Sequence, residues 1–539
     1  MTKNYFLFGC IIALAILLRF FYLGKVPPGL YSDEASYGYN AYSIIKTGKD
    51  EYGQFLPLAF KSFGDYKAPL YIYALTPFVS IFNLSEISVR LPSAVLGVIL
   101  VIVVYFLAEE IFTRNSYALL CSYFISILPF GLQFNRMAHE NNLVVVLITV
   151  GILFFLISVK YGFYIIPSFI SFLGSIYTYH DAKVFTPLIL VSLIILLRKS
   201  LWKNRANATI GIFITVILLL PFISTLKYEA LWSRVRYTNI LSDKGITLET
   251  NQERGEDQNS KFFVPALFHN KILNSSKKFL ENYISQYSFL FLFFTGDPVK
   301  LYQTPGNGLF YPVTLIFLLL GAYFLFKRNM KYKWLITIWF ILSGIPPALT
   351  RFVPSASRML SLLPAATILI VIGLLASSEY IKSPPLKRKY FIFVTCIFTL
   401  SIAYYLHYYY FNMSVRYAKE WHYGMKEVMS KERELESQYA RIWFSKNAWG
   451  YIYPLFYLPY PPEKYQPQAS LSSLDEFGFG WVNGFDKYTF SDFPSNFSLE
   501  ENTLFIGAPS DFSLIKKPLY TVYYPDRQVA FYFADKNSF

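Results

Sequence analysis

A chain of 539 residues that is 54% hydrophobic and 20% aromatic, with a mean hydropathy of +0.36, cannot cover its surface with polar groups, which excludes an ordinary soluble globule. The formal charge of +15 does not point to nucleic acid, because Lys and Arg fall in short clusters between apolar runs, as in cytoplasmic loops. A polytopic protein of the lipid bilayer remains.

The first apolar run, residues 5–23, is too long for a secretory signal and lacks a small-residue cleavage site, so it reads as a retained span. Directly after it comes PPGLYSDEASYGYN, with Asp33 and Glu34 side by side. The bland role for this pair is to cap a helix over 35–46, since Ser32 and Asp33 are both good caps. Pro69 to Phe82 is shorter than the roughly 20 residues a crossing needs and is interrupted by Pro77, so it is expected to be re-entrant or interfacial. Further spans are expected near 90–112, 116–133, 142–159, 161–178, 184–198, 207–224, 308–326, 334–349, 358–377 and 390–411, for a total of about eleven.

With that count and a cytoplasmic N-terminus, the basic clusters RKSLWKNR, KRNMKYK and KSPPLKRK all fall inside, and counting Pro69 to Phe82 as a crossing would put them all outside. Residues 1–411 are thus expected to form an all-α transmembrane domain with outer loops 24–89 and 225–306. Residues 412–539 are expected to form a small soluble extracytoplasmic α+β domain. Its helix would run through WHYGMKEVMSKERELESQ, and its strands through ARIWFS, NTLFIGA and YTVYYP. The aromatic residues of this tail suit either a packed core or a sugar-stacking surface. Cys10, Cys121 and Cys396 lie far apart within apolar runs, which argues for core packing and against disulfides or zinc.

The ionisable residues of the expected outer loops are the chemical candidates: Asp33, Glu34, Asp65 and Lys67, then Arg136, His139 and Glu140, then His180, Asp181 and Lys183, then Asp297, Arg351 and Arg358. Such residues at membrane depth are costly and usually line a cavity or a ligand path. Carboxylates beside cations suit a substrate that carries a phosphate anchored in lipid. Each also has a plainer role. Arg90 reads as a snorkelling residue, Arg351 and Arg358 as interface anchors, His139 and His180 as caps, and Asp297 as the turn before Pro298.

In order, PPGLYSDE, GDYKAPLYIYAL, SVRLPSAVLG and FNRMAHEN resemble the membrane-embedded C-type glycosyltransferases of glycosyltransferase family 39. These include the dolichyl-phosphate-mannose protein mannosyltransferases and the bacterial enzymes that add aminoarabinose to lipid A. IYTYHDAKVFTPL, FLFFTGDP and PPALTRFVPSASRMLSLLPA are similar to bacterial phospholipid-carrier-dependent glycosyltransferases, and the likeness covers about residues 5 to 410. The resemblance implies the C-type fold. It also implies transfer of a hexosyl or pentosyl unit from a polyprenyl-phosphate donor to a protein, lipid or glycan acceptor on the outer face of the plasma membrane.

The family's essential Asp in the first outer loop is matched by Asp33, whose task would be to take the acceptor's proton, with Glu34 orienting it. Its Arg and following acid in the second outer loop are matched by Arg136 and Glu140. Arg136 would hold the donor phosphate, since its fork binds two oxygens at once. Lys67 is a second phosphate ligand and Lys183, Arg351 and Arg358 are further ones, with Asp65 and His139 in support. The lipid A enzymes carry a Glu directly before the Lys that matches Lys67, whereas this chain has Tyr66 there and Asp65 one step back. That departure, and the spacing of His139, His180 and His407, leaves no obligatory metal or other cofactor expected. The competing readings are a carrier or flippase for a lipid-linked sugar, which needs no base, and a glycan-binding membrane sensor.

Overall fold

Helices account for most of the described residues. The computed structural model describes residues 2–63, 65–112, 114–225, 238–257, 267–448, 450–473, 480–497, 500–512 and 514–539. Among them, five helices are long and apolar enough to cross a bilayer: Glu86–Ile111, Asn141–Ser158, Arg205–Ile223, Leu362–Glu379 and Pro384–Arg416. A sixth crossing results if Asn115–Ile127 and Pro129–Asn135, bent by 56°, make one span. Pro129 explains the bend, because it holds the preceding Leu128 extended, at φ −66° and ψ 134°. The other expected spans are occupied by apolar helices of 10–17 residues, among them Gly162–Ile176, Ala182–Leu196 and Thr314–Lys327. Length and composition therefore carry five or six crossings among the described residues, and the expected eleven is not reached on that criterion. Pro69–Phe82 is one of the short helices, with Pro69 at its start and Pro77 within it.

Packing divides the chain into two compact units. One comprises Met1–Leu18, Leu96–Phe134 and Glu140–Tyr405. Its tightest helix pair is Thr314–Lys327 with Leu362–Glu379, where Gly321 and Gly373 let the backbones touch. A Cβ on Gly321 would lie 1.9 Å from the Leu369 carbonyl oxygen, and one on Gly373 would lie 1.9 Å from that of Phe317. Trp339 is buried nearby, with its indole N–H on the Ser361 carbonyl at 2.8 Å. Cys121 is buried in this unit as expected of a packing residue, but Cys10 and Cys396 are exposed on their helices, on faces turned away from the core.

The other unit comprises Arg19–Val95, Asn135–His139 and Leu406–Phe539. Packing thus joins the tail to the first loop, where composition alone sets it apart. The loop contributes helix α2 (Ser32–Thr47), an antiparallel strand pair β1 (Phe60–Ser62) and β2 (Asp65–Lys67), and α3 (Pro69–Phe82). Helix α2 starts earlier than the expected 35–46, because Asp33 and Glu34 stand inside its first turn. There, negative charge meets the positive end of the helix dipole.

The tail supplies a helix, Met425–Leu435, and seven strands: β3 (Arg441–Phe444), β4 (Ser470–Leu471), β5 (Val482–Phe485), β6 (Tyr488–Phe490), β7 (Thr503–Gly507), β8 (Tyr520–Tyr523) and β9 (Val529–Ala534). They form one sheet in the order β4-β5-β6-β3-β7-β9-β8. Strand β3 runs parallel to both neighbours, pairing Ile442 with Tyr488 and with Leu504, and all other pairs are antiparallel. All five residues of β7 are buried, as in a strand covered on both faces. Phe497, Phe505 and Phe512 close an aromatic core against Ala534. At Gly29 the first loop meets the tail closely, for a Cβ there would lie 2.0 Å from the Trp421 carbonyl oxygen.

Candidate functional site

Asp33 lines a cavity of about 580 Å³, and its side chain is 39% exposed. The pairing of Phe60 with Lys67 in the β1–β2 ladder delivers the Lys67 ammonium to it, with Nζ donating to Asp33 Oδ1 at 2.7 Å. Lys67 itself is only 6% exposed and lies 4.2 Å from the centre of the Tyr37 ring. A partly desolvated ammonium is steadied by such a ring face and by a carboxylate. Lys67 is not among the cavity-lining residues, so its charge is felt there through Asp33.

Glu34 is turned elsewhere and is fully buried. Its Oε1 accepts from Arg90 Nε at 3.1 Å and from the Ala138 amide at 2.8 Å. Its Oε2 accepts from Arg90 Nη2 at 2.9 Å and from the Tyr31 amide at 3.2 Å. Arg90 also donates to the carbonyls of Leu23, Pro27 and Gly29. The snorkelling role expected for Arg90 is therefore replaced by an interior one: the guanidinium is buried because a carboxylate and three carbonyls meet its donors.

Arg136 is built in the same way. It is 1% exposed, and it donates to the carbonyls of Arg19, Phe21 and Val26 at 2.8 to 3.0 Å and to the Tyr409 hydroxyl at 3.1 Å. The neighbouring Asn135 accepts from the buried Arg19 Nε at 2.9 Å. In this arrangement the Arg136 fork holds the start of the first loop rather than facing the Asp33 cavity. His139 is buried with its amide on Ser93 Oγ at 3.4 Å, and β2 opens with Asp65, whose side chain lies outside the described residues.

The remaining candidates belong to the other unit. Glu140 is buried at the head of Asn141–Ser158, where its carbonyl accepts the first helical amides. Asp181 is drawn toward Arg358 and accepts from Asn141, yet burial pushes its carboxyl up to about 6, and its Oδ2 has no hydrogen-bond partner. Lys183 Nζ sits 3.0 Å from His180 Nδ1. Arg358 donates to Thr350 Oγ1 at 3.0 Å and to the Phe352 carbonyl at 3.2 Å. Arg351 donates to the carbonyls of Asn239 and Ser242 and lies 3.7 Å from Asp243. Asp297 does make the turn before Pro298, accepting from the Val299 amide at 2.7 Å and from the Ala356 amide at 2.5 Å. Burial raises its carboxyl to about 6.

Two residues near Asp33 escape a reading by motif. His422 lines the cavity in the left-handed region at φ 51°, a conformation that His tolerates better than most side chains. Its Nδ1 is hydrogen-bonded to the Tyr453 hydroxyl. That hydroxyl donates its one proton to the Leu30 carbonyl at 3.0 Å, which assigns the proton of the first bond to His422. Burial pushes the imidazole down to about 3, so the ring stays neutral.

Glu51 is fully buried and accepts from the Tyr451 hydroxyl at 3.1 Å. Burial, then the Asp50 carboxylate, raises it to about 8. Among the described residues no three of His, Cys, Asp and Glu come together as a metal ion would need.

Residues 66–224 match the family of dolichyl-phosphate-mannose-protein mannosyltransferases. No curated protein matches the chain in sequence. ArnT from Cupriavidus metallidurans bound to undecaprenyl phosphate is similar in structure, with a TM-score of 0.56 at 12% identity over 97% of each chain. The archaeal oligosaccharyltransferase AglB from Archaeoglobus fulgidus, in complex with an inhibitory peptide and a dolichol-phosphate, is also similar, with a TM-score of 0.50 at 13% identity. That alignment covers 84% of this chain, which spans 63% of the archaeal one. At these identities what is shared is the fold. The chain resembles glycosyltransferase family 39 in sequence over the matched residues and the C-type enzymes in architecture.

Proposed function

We propose that the protein is a membrane glycosyltransferase that moves a monosaccharide from a polyprenyl-phosphate donor to an acceptor on the extracytoplasmic face of the plasma membrane. Asp33 is its general base. The observation that carries this reading is the 2.7 Å pair between Lys67 Nζ and Asp33 Oδ1 at the wall of the 580 Å³ cavity. The mannosyltransferase match and the lipid phosphates bound by ArnT and AglB support a lipid-linked donor.

The chemistry follows from the placement of charge. An acceptor hydroxyl attacks the anomeric carbon while Asp33 takes its proton. The bond from that carbon to the phosphate oxygen breaks, and its electron pair leaves on the lipid phosphate. Lys67 holds the Asp33 carboxylate in place through its 2.7 Å hydrogen bond. Because Lys67 does not itself line the cavity, its positive charge acts on the leaving phosphate oxygen from behind Asp33 rather than by direct contact. Glu34, Arg90 and Arg136 act by position, tying the loop that carries Asp33.

A carrier without transfer chemistry needs the cation but no base, and a sensor needs neither. Asp33→Asn therefore tests the reading. With purified protein and a polyprenyl-phosphate sugar, release of lipid phosphate should fall at least about 100-fold while donor binding persists. Unchanged release would sink the proposal.

A further inference from the structure

The cavity beside Asp33 has two kinds of wall. Flat aromatic faces come from Phe63, from Tyr451 at 5.4 Å from it, and from Trp481 at 6.5 Å from it, all centre to centre. Short uncharged polar groups line it as well, among them Ser32, Ser472 and Asn483. Lys446, the one Lys or Arg lining it among the described residues, is already paired with Asp492 at 2.6 Å.

Trp481 is 63% exposed, whereas Phe497, Phe505 and Phe512 of the same tail are buried in a core. Its main chain is tied to Ser472, for its amide donates to Ser472 Oγ at 2.9 Å and its carbonyl accepts from the Ser472 amide at 2.8 Å. Tyr451 is fixed as well, with its hydroxyl on the buried Glu51. The Tyr451 ring and the backbone that carries Trp481 are therefore in place before any ligand arrives, which lowers the cost of binding.

The combination of aromatic and uncharged polar walls selects a chemistry. A polyprenyl tail would favour aliphatic walls without hydroxyls, and a phosphorylated group would need an unpaired cation. A sugar ring offers what these walls lack: a C–H face that packs on an aromatic ring and an edge of hydroxyls that bonds Ser and Asn. The volume of about 580 Å³ lies in the range of small-ligand sites.

We propose that the acceptor is a carbohydrate, bound with one sugar face on Trp481 and with a hydroxyl presented to Asp33. This rests on the transferase reading and names its acceptor. The hydroxyl oxygen forms the new bond to the donor's anomeric carbon, its proton passes to Asp33, and the old bond's electron pair departs with the polyprenyl phosphate.

The test uses the full chain in lipid nanodiscs, titrated calorimetrically with linear glucose, mannose and N-acetylglucosamine tetrasaccharides. At least one should bind. Trp481→Ala should weaken it about tenfold, and Trp481→Phe, which keeps a ring, by no more than about threefold. Asp33→Asn should still bind it. The inference is overturned if none of the three binds, or if Trp481→Ala binds as well as the native chain. A Ser/Thr peptide that serves as acceptor with a KM indifferent to Trp481→Ala overturns it too. In each of these cases lipid-phosphate release that still depends on Asp33 leaves the transferase reading standing.

Discussion

Around Asp33 a carboxylate half open to a cavity is held by one buried ammonium, while Glu34, Arg90 and Arg136 are engaged with main-chain groups. Around Asp181 and Asp297, in the other unit, the carboxylates are deep, their acidity is weakened by burial, and Arg358 faces Thr350 and a carbonyl. The residue types are the same and the surroundings differ. An ionisable group in an apolar chain is thus a marker of structural joints as much as of chemistry, and contact with a cavity separates the two.

Substitutions can break or sharpen this contrast. The largest effect belongs to Asp33→Asn, which should lower turnover by about 10²- to 10⁴-fold yet leave the thermal unfolding midpoint near that of the native chain. Glu34→Ala should do the reverse. It strands the buried Arg90 guanidinium and should cost about 3–5 kcal/mol in stability, read by denaturant unfolding in detergent. If Glu34→Ala unfolds like the native chain, the division between cavity and joint does not hold.

Asp297→Ala leaves the Val299 and Ala356 amides without their acceptor and should cost about 1–3 kcal/mol, again read by unfolding. A loss of donor affinity without loss of stability would instead make this second centre a binding site. The smallest effect is read as a slope. Because Glu51 is raised from 4.5 to about 8, the folded chain keeps a proton that the unfolded chain gives up between those values. Its contribution to stability therefore falls as pH rises through that window. Glu51→Gln should equal the native chain near pH 5 and become the more stable of the two by pH 9. Parallel curves would remove the buried-carboxyl assignment.

Much of this was legible in the sequence. The run of apolar segments marks helices, and Asp33 and Lys67 could be singled out because they flank short elements whose turns and prolines are visible. The number of crossings was less legible, since hydropathy blurs where a helix stops; Pro129 shows how one residue bends a run that reads as continuous. The partner of Glu34 was hidden because Arg90 lies 56 positions away, and a lone Arg at the head of an apolar helix looks the same whether it points to headgroups or to a carboxylate. His422, Trp481 and Tyr451 were hidden more deeply. Their roles depend on the tail folding onto the first loop, as in the Tyr451–Glu51 bond across 400 positions, and no local pattern announces that.

Trp481 hangs where β5 meets the outermost strand β4, away from the parallel centre of the sheet at β3. Exchanging β4, which pairs with β5 alone, would leave the pairing of β3 with β6 and β7 and the knot of carbonyls around Arg90 in place. On the proposed reading, a lineage or an engineer could thereby retune the acceptor through a marginal strip of sheet without touching Asp33.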